Sequence, residues 1–160
     1  MNHYTRPSWD DYFIKIAALV SERSTCLRHH VGAVVVRDKQ ILATGYNGAI
    51  RGVSDCLTKN CLRNQLNIPS GTRHEICRAV HAEQNAIAQA AKCGISIQNA
   101  TLYCTHSPCI ICAKIIANSG ISRICAYHIY PDDNYIELFK EAGIQFDRID
   151  RPENIIHFLD

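Results

Sequence analysis

Three side chains with the chemistry to bind a soft divalent cation stand out by type and spacing in this 160-residue sequence: His81, Cys109 and Cys112. Cys109 and Cys112 lie one helical turn apart, so both sulfurs can face one point if a helix begins there. His81 adds a third donor if a second helix start lies beside the first. Three protein ligands leave zinc one open position, the arrangement of a catalytic site, and water would fill it. Helix starts favour thiolates through their positive end and free N–H groups. Two thiolates nevertheless offset the charge of the metal, so it is a weaker Lewis acid than one held by neutral imidazoles, and a nearby base is needed. Glu83, in the same first turn as His81, can take a proton from water in that pocket and return it to a substrate. The plainer alternative is a closed structural zinc site, or buried side chains without metal. An acid placed beside the three donors favours catalysis.

Positioning these residues requires helices that start at the same end of a sheet. Ser8 can cap a first helix that runs to about Val20 or Ser21, with Trp9, Phe13, Ile16, Ala17 and Val20 as its apolar stripe. Val31–Val36 and Ile41–Gly45 are β-rich runs joined by the polar turn Arg37-Asp38-Lys39-Gln40, a hairpin. From Asn47 to about Arg78 the pattern dissolves into an irregular insertion holding Cys56, Cys61, His74 and Cys77, while Cys26 precedes the first strand. A loop with so little apolar content needs something to hold it, and a four-coordinate structural zinc would do so. Alternation then resumes: helix Ala82–Lys92, strand Ala100–Thr105, helix Cys109–Asn118, strand Arg123–Tyr127, helix Asp133–Ala142 and a short strand Gln145–Arg148. Strands separated by such helices call for a parallel portion of sheet. The expected fold class is α/β: a three-layer helix/sheet/helix sandwich around a mixed five-stranded sheet, with residues 1–160 as one domain.

A composition of 47% hydrophobic and 20% charged residues suits a globular chain. A net charge of +2 without a basic run points away from nucleic-acid partners. No stretch approaches the roughly 20 apolar residues of a membrane span, and Met1–Asp10 lacks a secretory pattern, so a cytoplasmic location is expected. In that reducing compartment the nine cysteines favour metal binding over disulfides. Cys93, Cys104 and Cys125 read as small core residues, and His29, His106, His128 and His157 as surface or packing histidines.

The segments His81-Ala82-Glu83 and Pro108-Cys109-Ile110-Ile111-Cys112, in this order, resemble the signature of the cytidine deaminase superfamily. Gly45-Tyr46-Asn47-Gly48 and the run His81–Ala91 are similar to its deoxycytidylate deaminase branch, and the likeness covers roughly Ile14 to Pro131. It implies that His81, Cys109 and Cys112 hold a catalytic Zn2+ and that Glu83 shuttles protons. The implied reaction is hydrolytic deamination of deoxycytidylate (dCMP) to deoxyuridylate (dUMP) and ammonia, by attack of activated water on cytosine C4, supplying dUMP for thymidylate synthesis. Asn47 matches the family asparagine that holds the sugar. Arg28 and His30 are candidates for the phosphate, and Tyr130 for closing over the substrate. Some viral members are similar around a second, structural zinc, which implies Cys26, Cys56, His74 and Cys77 as its ligands here, with Cys61 as a substitute. The branch is often activated by deoxycytidine triphosphate (dCTP) with Mg2+ and inhibited by deoxythymidine triphosphate (dTTP). Gly45, Tyr46, Asn47 and Gly48 would form the effector loop. Family members commonly assemble as hexamers. The alternatives are a zinc deaminase of another base (guanine, cytidine or a transfer-RNA adenosine) and a non-catalytic zinc module; ammonia release separates them.

Overall fold

A computed structural model describes residues 5–131 and 133–152. Helix α1 (Trp9–Ser21) starts where expected: Ser8 Oγ accepts from the Asp11 N–H at 3.0 Å, and Asp10 and Asp11 place negative charge at the positive end of the helix. Strands β1 (Gly32–Arg37) and β2 (Gln40–Tyr46) form the antiparallel hairpin. Its turn is made by Asp38 and Lys39, at φ 52° and 62°, the backbone a two-residue turn needs to match the twist of the strands.

After β2 come β3 (Gly48–Ala49), α2 (Cys56–Lys59), α3 (Leu62–Gln65), a 3-10 turn at His74–Ile76 and β4 (Ala79–Val80). The insertion is therefore less irregular than its sequence suggests. Pairing of Gly48 with Val80 and of Ala49 with Ala79 ties its two ends into a stem. Elements of two to four residues are too short to show a hydrophobic period, which is why the sequence there has the pattern of a loop.

The rest follows the expected alternation: α4 (Ala82–Cys93), β5 (Thr101–His106), α5 (Ile110–Asn118), β6 (Arg123–His128), α6 (Asn134–Glu141) and β7 (Gln145–Arg148). Among the described residues the main sheet has the order β2-β1-β5-β6-β7. β1 runs antiparallel to β2 and β5, whereas β5, β6 and β7 are parallel, joined by α5 and α6. Alternation along β1 sends Val34 and Val36 to one face, against Phe13, Ile14 and Ala17 of α1. Val35 belongs to the opposite core, with Ala82, Ala86 and Ala90 of α4, Ala113 and Ile116 of α5, and Tyr135 and Phe139 of α6. This is the helix/sheet/helix sandwich.

Small residues bring α4 close to the sheet. A Cβ on Gly45 would lie 2.2 Å from the Ala82 carbonyl oxygen and 2.4 Å from the Ala86 nitrogen, so only glycine lets β2 and α4 touch backbone to backbone. Cys104 and Cys125 are buried as expected, but Cys93 is exposed, because the last residue of α4 faces outward. His157 lies outside the described residues. No helix among the described residues is long and apolar enough to cross a membrane.

Candidate functional site

Both helices that carry the candidate ligands begin at one end of the sheet. His81 is the N-cap of α4; its backbone N–H donates to Gln84 Oε1 at 3.1 Å, and Asn85 Nδ2 donates to the Tyr46 carbonyl at 2.7 Å, fixing this first turn to the end of β2. Cys109 is the N-cap of α5, with its sulfur accepting from the Cys112 N–H at 3.5 Å. The donor atoms of His81, Cys109 and Cys112 all lie within 4.8 Å of one another. His81 Nδ1 is 3.6 Å from Cys109 Sγ and 3.3 Å from Cys112 Sγ. Tetrahedral zinc, with bonds of about 2.3 Å to sulfur and about 2.0–2.1 Å to nitrogen, separates such donors by about 3.5 Å, so the set fits the metal. It is the only group of its kind among the described residues.

Charge at the site points the same way. With no cation between them the two sulfurs share a proton: the hydrogen bond from Cys112 holds the Cys109 thiol low, and the same bond, with burial, pushes Cys112 up. A hydrogen bond with Cys109 raises His81 against its burial. Glu83 is 4% exposed, and burial lifts its carboxyl above the usual range against the pull of His81. A divalent cation would let both sulfurs ionise and would answer the negative charge beside Glu83.

His81, Glu83 and Cys109 line a cavity of about 380 Å³, large enough for a nucleotide-sized ligand. Asn47, Arg28 and Tyr130 line it too, whereas His30 is not among its lining residues. Asn47 is largely committed inside the protein. Its Oδ1 accepts from Ser24 Oγ at 2.6 Å and from the Val31 N–H at 2.9 Å, and its Nδ2 donates to the His29 carbonyl at 2.8 Å, leaving one N–H for anything else. Arg28 Nη1 donates to the Ile68 carbonyl at 2.9 Å, and the Tyr130 N–H to Ser107 Oγ at 2.9 Å. In the Gly45–Gly48 segment, contact with α4 already accounts for Gly45, and a Cβ on Gly48 would lie 3.1 Å from Thr25 Oγ1.

The four residues expected around a second zinc are not brought together as a set. The His74 ring lies edge-on to His81, 4.9 Å between centroids, and lines the cavity. The thiols whose charges bear on Cys56 are Cys61, Cys26 and Cys77, and with burial they push its pKa to about 11. Cys61 thus stands where His74 was expected. The reason is local: the turn His74–Ile76 lies next to β4, whose end delivers His81, so His74 follows the catalytic helix rather than the cysteines.

Several lining residues carry no mark in the sequence reading. His29 and His106 line the cavity, with rings 6.2 Å apart, and His106 stacks 5.4 Å from Tyr130. Ser107 and, from the insertion, Arg63 and Ser70 line it as well. For His106 and Ser107 a usable signal exists, since they close the strand that leads into Cys109. Arg63 and Ser70 offer none, because only the folding of the insertion carries them to the cavity.

Comparison with known proteins follows the same lines. Residues 7–128 match the family model of the cytidine and deoxycytidylate deaminase zinc-binding region. A deoxycytidylate deaminase of Schizosaccharomyces pombe is 38% identical over 94% of this chain, which spans only 47% of that protein. A deoxycytidylate deaminase of Mycobacterium phage D29 is 40% identical over 81% of this chain and 99% of its own length. The crystal structure of a dCMP deaminase from the cyanophage S-TIM5 in complex with dCMP and dUMP superposes with a TM-score of 0.76 at 31% identity, covering 91% of this chain and all 100% of that one.

Proposed function

Because the chain belongs to the family of the cytidine and deoxycytidylate deaminase zinc-binding region, we propose that it hydrolyses dCMP to dUMP and ammonia, supplying dUMP for thymidylate synthesis. The observation that carries this reading is the convergence of His81, Cys109 and Cys112 beside a buried Glu83 in one cavity. Zinc held by those three donors would supply a water of lowered pKa.

Glu83 is the group that moves protons. Its carboxylate takes one from the water whose oxygen bonds to C4, and delivers it to N3 of the base. A second transfer, to the exocyclic nitrogen, lets the C4–N bond break and ammonia leave, while the water oxygen becomes O4 of the uracil product. Burial suits Glu83 to this work, because an uncharged carboxyl is tolerated there and a proton can be held as well as accepted. Asn47 has one N–H left for the sugar, Arg28 faces the phosphate, and Tyr130 closes over the base. Replacing Glu83 with Gln should leave zinc bound and lower kcat by about 10²–10⁴-fold, as expected for a lost general acid–base. Near-normal ammonia release from that variant would sink the mechanism.

The finer features belong to the same proposal. Cys26, Cys56, Cys61 and Cys77 form the structural zinc site that braces the insertion, with Cys61 in place of His74. Elemental analysis of purified protein should find two zinc per chain, falling to one in a Cys56→Ser, Cys61→Ser double variant; one zinc in the parent protein would rule the second site out. Residues 1–160 act as one cytoplasmic deaminase domain. Control by dCTP with Mg2+ and by dTTP through Gly45–Gly48, and assembly into hexamers, rest on family likeness alone. Assays with and without the triphosphates, and a sedimentation measurement, test them. Among other substrates, cytidine, guanine and transfer-RNA adenosine are the competitors, and ammonia release from each, set against dCMP, decides between them.

A further inference from the structure

The cavity contains one cation that deamination itself does not use. Arg63, in α3 of the insertion, is only 7% exposed and lines the cavity. Its Nη2 donates to the Pro69 carbonyl at 3.2 Å, but Nε is buried without a hydrogen-bond partner. A guanidinium taken out of water in this way is unfavourable unless an anion meets it. None does among the described residues, where the ion pairs join Arg37 with Asp38, Arg73 with Glu75, and Arg123 with Asp10 and Asp147. Glu83 is the only carboxylate among the described residues that line the cavity, and it belongs to the reaction centre.

The groups around Arg63 share its character. Arg28 lines the same cavity and clips the next stretch of chain through the Ile68 carbonyl. Ser70 Oγ is 2.8 Å from His29 Nε2, and His74 Nδ1 is buried without a hydrogen-bond partner. The charge of Arg63 is felt at His29, His74 and His81, so it sits within electrostatic reach of the reaction centre. One rim of the cavity therefore gathers hydrogen-bond donors and positive charge with no acid to neutralise them.

We propose that Arg63, with Arg28 and Ser70, binds the 5′-phosphate of the substrate and thereby selects a nucleotide over a nucleoside. The proposal rests on the deoxycytidylate reading given above. A phosphate completes the buried guanidinium with charge-assisted hydrogen bonds that no side chain here supplies. Because Arg63 lies in the insertion, the insertion acts as a specificity element as well as a surface appendage. It brings to the cavity a cation that the sandwich of helices and sheet lacks at that rim.

The test uses the zinc-loaded full chain as wild type, Arg63→Gln and Arg63→Lys. The first readout is kcat/KM for dCMP divided by that for deoxycytidine; the second is calorimetric titration with inorganic phosphate, which needs no turnover. Arg63→Gln should lower the ratio by about 10–100-fold, chiefly through KM for the nucleotide, as loss of a charged hydrogen bond predicts. It should weaken phosphate binding in parallel, and Arg63→Lys should retain part of both. Equal losses on the two substrates, an unchanged ratio, or unchanged phosphate affinity would overturn the proposal. Matching zinc content and unfolding temperatures exclude misfolding as the cause, and if Gln fails to fold, Lys against wild type gives the same comparison. A wild type that releases no ammonia from dCMP sinks the substrate reading instead. The phosphate titration then decides on Arg63 by itself: weaker binding in the variants supports it and equal binding overturns it.

Discussion

At the scale of single residues, the site separates into groups that do chemistry and groups that hold backbone. Asn47 belongs to both. Its amide satisfies the Ser24 hydroxyl, the Val31 N–H and the His29 carbonyl, which together fix the chain entering β1 against the end of β2. Asn47→Ala would leave buried polar groups unpaired, each costing about 1–3 kcal/mol. The expected result is a clear drop in unfolding temperature together with lost turnover. Scanning calorimetry beside the ammonia assay checks this, and unchanged stability with lost turnover would mean that Asn47 serves the substrate alone. Asn47→Asp should be the milder change for stability, because it keeps both oxygen-accepted bonds. Glu83 differs, since it is buried beside the reaction centre and its loss should be felt in catalysis first.

At the scale of elements, the separation of α4 from β2 sets where His81 and Glu83 stand. Gly45 is the contact point, and a methyl group there would meet the Ala82 carbonyl and the Ala86 nitrogen at 2.2 and 2.4 Å. Gly45→Ala should therefore push the start of α4 away from the sheet. The expected cost is about 1–3 kcal/mol of stability, and a lower kcat should accompany it although no substrate contact has changed. Gly94 is the control. It ends α4 at φ 66°, and a methyl group added there would meet nothing within 4 Å, so Gly94→Ala should cost only the backbone strain of about 1–2 kcal/mol and leave kcat unaltered. Equal effects of the two variants on kcat, measured with unfolding temperature, would refute this assignment. Legibility followed element length. The long helices and strands could be placed within a residue or two because their periods span several turns or alternations, whereas α2, α3 and the β3–β4 stem are too short to show one.

At the scale of the whole molecule, α1 is fastened across the sheet by a charged network far along the chain from its own sequence. Arg123 at the start of β6 donates to both carboxylate oxygens of Asp10, at 2.9 and 2.8 Å, and to Asp147 of β7 at 2.7 Å; the Tyr103 hydroxyl of β5 donates to Asp10 at 2.7 Å. The Arg123 hydrogen bonds hold the Asp10 carboxyl below its usual 3.8. A depressed carboxylate pKa contributes stability that is fully present above the unfolded value and is lost as pH falls through the folded one. Unfolding temperature should thus be insensitive to this network at neutral pH and should fall on acidification below about pH 4. Asp10→Asn should remove part of that acid sensitivity. Solvent screening limits its neutral-pH cost to about 1 kcal/mol, or about 2–4 °C. Thermal melts of both proteins from pH 7 down to pH 3 check the sign, and an identical acid slope in the variant would refute it.

By itself the sequence determined the chemistry and the framework. His81, Glu83, Cys109 and Cys112 announce themselves because their donors must sit within one helical turn of a helix start, a local constraint that spacing records. The alternation of helix and strand is likewise local, so the layered fold was legible. Only the tertiary structure decided which distant residues share the cavity. It put His74 beside His81 and Cys61 with the other cysteines, left His30 out of the lining, and carried Arg63 and Ser70 in from the insertion. Those outcomes depend on how a segment without a repeating pattern packs against the sandwich. That packing is fixed by the β3–β4 stem and by the Ile68 and Pro69 carbonyls held by Arg28 and Arg63, contacts between residues whose positions in the chain carry no common period.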